Sequence, residues 1–148
     1  MLFRSSLVFL AKDEQGYHNL MKLSSRAYLS SPENAEHHVT WDYLTEHAQG
    51  LICLTGGPEG PINDALLAGQ GTLAAELVER LKALFGDRLY IELQRHGTQP
   101  ERETEQGLVE LAYRLDVPLV ATNEPYFAKA DDYAAQDRKS TRLNSSHT

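Results

Sequence analysis

Short apolar runs alternate along the chain with longer segments in which apolar residues recur every three or four positions. The runs predict buried strands, and the longer segments predict amphipathic helices. The predicted strands cover residues 7–11, 50–55, 88–93 and 119–121. The predicted helices cover residues 13–28, 40–47, 62–68, 72–85 and 102–115, with Asp13 and Thr40 as caps for the first two. Because strands and helices alternate without a hairpin signature, we expect an α/β fold with parallel strands.

Polar side chains follow two of the predicted strands. Glu92, Arg95 and His96 lie at or after the end of the third strand, and Asn123 and Glu124 follow the fourth. In parallel α/β folds, ligands bind at the carboxyl ends of the strands, so these residues are candidates for a metal site, a phosphate site or a general base. The alternative is structural: Glu124 could cap the next turn, and the others could form a polar network that braces a loop.

Composition narrows the choice of function. The 148-residue chain has a formal net charge of −7 and no dense run of Lys or Arg, which argues against direct DNA binding. Its single cysteine, Cys53, lies within an apolar strand and is expected to be a buried, reduced thiol of a cytoplasmic protein. No apolar run approaches the length of a membrane span, so we expect a soluble protein without membrane contacts.

The last residues differ in composition from the rest. Residues 138–148 are basic and polar and show no periodicity, and the string from Asp137 to His147 resembles the translation of a sequencing-library adapter. We therefore expect a domain over residues 1–137 and a foreign or disordered tail over residues 138–148.

Several blocks of the sequence resemble one family, the PHP (polymerase and histidinol phosphatase) domain of bacterial DNA polymerase III α subunits. The resemblance extends in order from about Leu7 to Asp137. Its clearest blocks are residues 10–23, 25–29, 46–57, 89–97 and 119–124. It implies a distorted (β/α) barrel at the start of a much larger polymerase, of which this chain is an internal piece that lacks the first strands.

The resemblance also implies a set of metal-binding positions, and this chain departs from the set. Metal-competent members hold divalent ions and remove nucleotides in the 3′ to 5′ direction. Where they have His and Cys, this chain has Ser6 and Gly57, and their Asn-Asp-x-His appears here with Glu124 and Tyr126 in place of Asp and His. Of these four residues only Glu124 could bind a metal, and a multinuclear site needs several anionic or imidazole ligands. We therefore expect no metal or other cofactor in this chain.

The expected function is a structural, metal-free scaffold within a DNA polymerase III α subunit, without activity of its own. The parent would synthesise DNA with Mg²⁺ and would alone contact DNA. The expected partners are the remainder of the α chain and, by family resemblance, the proofreading exonuclease. Two alternatives remain: a PHP-type metal-dependent phosphoesterase or 3′–5′ exonuclease, and a small non-enzymatic α/β interaction domain.

Overall fold

A four-stranded sheet with helices packed on one face organises the chain. The computed structural model describes residues 6–30 and 38–123. The strands are β1 (Val8–Ala11), β2 (Leu51–Leu54), β3 (Leu89–Leu93) and β4 (Leu119–Ala121), and they are neighbours in that order. The helices are α1 (Glu14–Ser30), α2 (Trp41–Glu46), α3 (Pro61–Leu67), α4 (Gly71–Phe85) and α5 (Gln99–Leu115). The predicted α/β class is confirmed. Glu124, Tyr126, the tail and most of the loop after α1 lie outside the described residues.

Strand direction differs from the prediction in one pair. β2, β3 and β4 are mutually parallel, but β1 runs antiparallel to β2, with Val8 opposite Leu54 and Ala11 opposite Leu51. The expectation of a fully parallel sheet is therefore wrong for β1. The chain returns from β1 through α1 and α2, and β2 then starts beside the end of β1 and not beside its beginning.

Close backbone contact between two glycines fixes this antiparallel arrangement. The Lys12 N–H donates to the Gly50 carbonyl at 2.8 Å, which joins the end of β1 to the start of β2. A Cβ on Gly16, in the first turn of α1, would lie 1.9 Å from the same Gly50 oxygen. Any side chain at Gly16 would therefore separate α1 from the start of β2. The Asp13 carboxylate accepts from the Gly16 N–H at 2.8 Å, which confirms Asp13 as a helix cap.

One face of the sheet forms the hydrophobic core. Leu51 and Cys53 of β2 and Leu89 and Ile91 of β3 have no solvent exposure, and these side chains pack with those of the helices into a single cluster. The prediction of a buried, free Cys53 thiol is confirmed, and burial raises the pKa of that thiol to about 12. The core therefore depends on alternate residues of the two central strands.

The other face of the sheet is open at β1. Val8 and Leu10 point to this face and are 37% and 49% exposed. Further along the same face, Leu54 and Glu92 are buried. Apolar side chains of a strand are normally covered in a finished α/β fold. The exposed positions on β1 therefore mark a surface that these elements leave without a covering layer.

In the described residues no helix is both long and apolar enough to cross a membrane.

Candidate functional site

The carboxyl ends of β2, β3 and β4 meet at one edge of the sheet, where β1 begins. Ser6, just before β1, donates its backbone N–H to the Glu59 carbonyl at 3.0 Å. The loop after β2 therefore lies against the start of β1. This arrangement places Ser6 against the loop that contains Gly57, and the family resemblance implies metal ligands at these two positions in metal-competent members. Neither residue of this chain supplies an imidazole or a thiolate.

A side chain at residue 57 would meet an unfavourable backbone conformation and the movable end of the Gln94 side chain. Gly57 has a φ of +55°, and a Cβ placed on it would lie 2.9 Å from the Gln94 amide nitrogen. Gln94, two residues beyond Glu92 on the same chain segment, thus fills the space that a cysteine side chain would need. A metal ligand at residue 57 would require both a strained backbone and movement of Gln94. Ser6 and Gly57 therefore do not fit the metal cluster that the resemblance implies, and the other two implied positions lie outside the described residues.

Glu92 is the buried polar centre of this edge. Its side chain leaves β3 on the same side as that of Gln94, and the residue is 4% exposed. One carboxylate oxygen, Oε1, accepts hydrogen bonds from the Thr122 hydroxyl and, at 3.4 Å, from the Gln94 amide. Its backbone N–H donates to the Thr55 hydroxyl at 3.0 Å. Glu92 thus connects β2, β3 and the end of β4.

The second oxygen of Glu92, Oε2, has no hydrogen-bond partner among the described residues although it is fully buried. A buried carboxylate oxygen without a donor is costly, so this atom marks a place where a donor group or a cation would be stabilising. The described hydrogen-bond partners of the Glu92 side chain, both at Oε1, are a hydroxyl and an amide rather than a further carboxylate. Within the described part of the chain, no group of three or more His, Cys, Asp or Glu side chains is placed to hold a metal ion.

Arg95 and His96 do not join Glu92. Both turn away from the sheet edge toward α5, where Arg95 pairs with Glu105 and the His96 ring lies 2.9 Å from the Glu101 carboxylate. Asn123 is exposed at the end of β4. Of the four residues considered for one polar network, the structure therefore places Glu92 at the strand ends and Arg95 and His96 against a helix.

Glu101 was not among the residues singled out from the sequence. Burial opposes its charged form and would raise its pKa, but hydrogen bonds outweigh this effect and lower the pKa to about 2. The donors are the backbone and hydroxyl of Thr98 and the ring and backbone of His96. Thr98 and Glu101 form a capping box, which starts α5 at Gln99, three residues before the predicted Arg102. The Thr-x-x-Glu spacing was visible in the sequence and is the signal for this cap.

Fold and sequence together place the chain in the PHP domain family, whose family model, the PHP domain, matches residues 3–96. Its curated relatives carry the name DNA polymerase III subunit alpha. The protein from Caulobacter vibrioides (strain NA1000 / CB15N) is 48% identical over 132 residues, which is 89% of this chain and 12% of that protein. Those from Treponema pallidum (strain Nichols) and Rickettsia bellii (strain RML369-C) are 43% and 38% identical over 88% and 90% of this chain, and 11% of each.

The chain therefore spans about one eighth of the length of the curated relatives it matches. The expected family is confirmed, and the described fold is compatible with a partial PHP-type barrel.

Proposed function

We propose that this chain is a structural, metal-free part of the PHP domain in a DNA polymerase III α subunit. The observation that carries the proposal is that Gly57, at a φ of +55°, has no side chain that could bind a metal. A family metal position without a side chain, whose space is filled by a neighbouring glutamine, cannot hold a ligand without rearrangement. Ser6 supplies at most a neutral hydroxyl at the adjacent position. The fragment then has no catalytic activity of its own.

The activity of the whole protein is proposed from the relatives. They are named DNA polymerase III subunit alpha, so the full-length protein would synthesise DNA in the cytoplasm with Mg²⁺ bound outside this chain. DNA would be contacted by other parts of the protein. The partners would be the remainder of the α chain and the proofreading exonuclease subunit.

The open side of the sheet supports a scaffold role. Val8 and Leu10 are exposed apolar residues on the same face as the unpaired Oε2 of Glu92. A further part of the same polypeptide that covered this face would bury both apolar side chains and could donate to the Glu92 oxygen. The same contact would then bury the exposed apolar side chains and supply the missing hydrogen bond to Oε2.

A second candidate function is a metal-dependent phosphoesterase or 3′–5′ exonuclease. One observation favours it: the same Glu92 oxygen is a buried anionic acceptor at the carboxyl ends of the strands, where such enzymes bind metal. Glu124 follows β4 in the sequence and lies outside the described residues.

Metal content and nuclease activity of the full-length protein separate the two functions. For the scaffold we expect no bound divalent metal after dialysis and no 3′–5′ exonuclease activity when manganese or zinc is supplied, while polymerase activity is retained. Near-stoichiometric metal, with metal and nuclease activity both lost in Glu92→Gln or Glu124→Ala, would establish the second candidate. Arg114→Gln, on an exposed face of α5, is the matched control and should change none of these quantities.

A further inference from the structure

Helix α1 has a second face, away from the core, that borders an open groove of about 670 Å³. The core-facing side of α1 includes the buried residues Asn19 and Leu23. The groove is lined by six residues of α1 and one of α2: His18, Met21, Lys22, Ser25, Arg26, Leu29 and Tyr43. The residues on the groove side of α1 therefore do not pack in the hydrophobic core, and packing does not account for their identity.

The groove side of α1 consists of two parallel rows, each with a spacing of four residues. His18, Lys22 and Arg26 form a basic row, and Met21 and Leu29 lie in an adjacent row with the small Ser25 between them. Residues four apart on a helix are neighbours on its surface. The second row therefore presents two apolar side chains separated by a notch at Ser25.

The apolar residues of this face are unusually exposed. Met21 is 45% and Leu29 is 79% exposed, and Tyr17, one turn before Met21, is 55% exposed. Single exposed apolar residues are common, but three large ones on one helix form a patch. Such a patch beside a groove is typical of an interaction surface.

Two members of the basic row, Lys22 and Arg26, have no ion pair with a carboxylate of the described residues, whereas His18 lies 3.8 Å from the Glu14 carboxylate. Among the described residues that line the groove there is no carboxylate. The whole chain nevertheless carries a net charge of −7. An acidic partner would be attracted to this local cluster of cations and repelled by the rest of the negatively charged surface.

Tyr43 forms a rigid far wall for the groove. The guanidinium carbon of Arg26 lies 5.0 Å from the centre of the Tyr43 ring, and the His47 ring stacks on the same tyrosine with centroids 4.1 Å apart. The His47 Nδ1 is also 2.8 Å from the Tyr43 carbonyl oxygen. The aromatic wall is thus held in place before any partner arrives, which lowers the entropic cost of binding.

We propose that the groove between α1 and α2 binds an acidic amphipathic helix from a separate polypeptide. Glutamates spaced four apart on that helix would face Lys22 and Arg26, while a large apolar side chain would enter the notch at Ser25 between Met21 and Leu29. The mixture of charged and apolar rows is that of an exchangeable interface, because permanent interfaces are depleted of charge at their centres. Single-stranded DNA fits less well, because two lysine or arginine cations offer few phosphate contacts and Met21 and Leu29 offer none. This proposal does not depend on whether the PHP site binds metal.

The test uses the full-length protein and a fluorescent peptide of roughly 16 residues, or about four helical turns, with Glu and Leu each repeated every four residues. We expect saturable anisotropy changes that weaken as salt is added. A scrambled peptide of the same composition and a version with Lys in place of Glu should bind much more weakly. Equal binding of the scrambled peptide, or no binding of the designed one, would overturn the proposal.

Two variants locate the site. Lys22→Glu combined with Arg26→Glu should weaken peptide binding by about tenfold or more, whereas Arg102→Glu combined with Arg114→Glu, on α5, should leave it within about twofold. Ser25→Phe fills the notch without changing charge and should also weaken binding. Thermal unfolding followed by circular dichroism checks that each variant is folded. If the Lys22→Glu and Arg26→Glu double variant does not fold, the effect of Ser25→Phe on peptide binding tests whether the groove is the binding site.

Two other occupants give distinct results. Tighter binding of a labelled oligothymidine than of the peptide, lost in the Lys22 and Arg26 double variant, would assign the groove to nucleic acid. Self-association in analytical ultracentrifugation that the same double variant abolishes would assign it to a second copy of the protein. Either result would overturn the proposal.

Discussion

The Glu101 carboxylate accepts hydrogen bonds from both the backbone N–H and the ring of His96, at 2.9 Å in each case. It also accepts from the Thr98 N–H at 3.0 Å, so one side chain joins the loop after β3 to the start of α5. Four donors converge on a carboxylate that is 7% exposed. The same carboxylate therefore caps α5 and holds the loop that connects β3 to α5.

Glu101→Ala should destabilise the complete domain by about 1–2 kcal/mol at neutral pH, because the capping box and the His96 contacts are lost together. The folded pKa of Glu101 is depressed from 4.5 to about 2, so its contribution is present above pH 4.5 and is lost as pH falls toward 2. Urea unfolding of the parent and variant between pH 7 and pH 2 measures this difference. A gap that stayed constant down to pH 2 would contradict the assigned pKa.

The isolated segment of residues 1–137 should be poorly stable and prone to aggregate. Val8 and Leu10 are exposed on the open sheet face, and the edge of β1 is available for pairing with other chains. We expect binding of a hydrophobic dye, concentration-dependent association and a broad thermal transition. Leu10→Lys should improve solubility of this segment but destabilise the full-length protein. A monodisperse monomer with a sharp cooperative transition would show that the open face needs no cover.

Glu92→Gln should change the melting temperature differently in the isolated segment and in the full-length protein. In the isolated segment the change removes a buried charge whose Oε2 has no partner, so the melting temperature should stay the same or rise. In the full-length protein, where a donor is proposed to reach this oxygen, the melting temperature should fall. Thr122→Val serves as a comparison, because it removes one of the two donors to Oε1 and should lower the melting temperature of both proteins. A fall of equal size for Glu92→Gln in both proteins would argue against an added donor.

Cys53 should be chemically inert in the native state. The thiol has no solvent exposure and its pKa is raised to about 12, so almost no thiolate exists at neutral pH. Reaction with a thiol-specific reagent should therefore follow the rate of unfolding and become complete in denaturant. Cys53→Ser should cost about 1–3 kcal/mol, because it places a hydroxyl in an apolar core, and more than Cys53→Ala. Rapid native-state labelling would mean that β2 opens locally.

The sequence by itself determined the features that depend on neighbouring residues. Strand β4 has the predicted limits, Thr40 caps α2 by accepting from the Tyr43 N–H at 3.2 Å, and Cys53 is buried as its apolar run indicated. Each depends on contacts that are local in the chain or on a simple alternation of side chains. The start of α5 belongs to the same class, since the Thr98 and Glu101 spacing encodes it.

Tertiary structure alone decided the features that join distant residues. The antiparallel pairing of β1 depends on Lys12 meeting Gly50, and the polar centre depends on Thr122 reaching Glu92 across 30 positions. Arg95 was grouped with Glu92 because the two are close in sequence, yet it pairs with Glu105, one helix later. The position of Arg95 in the sequence does not determine the direction of its long side chain. The helix that packs beside the end of the strand supplies its partner, and that helix is α5.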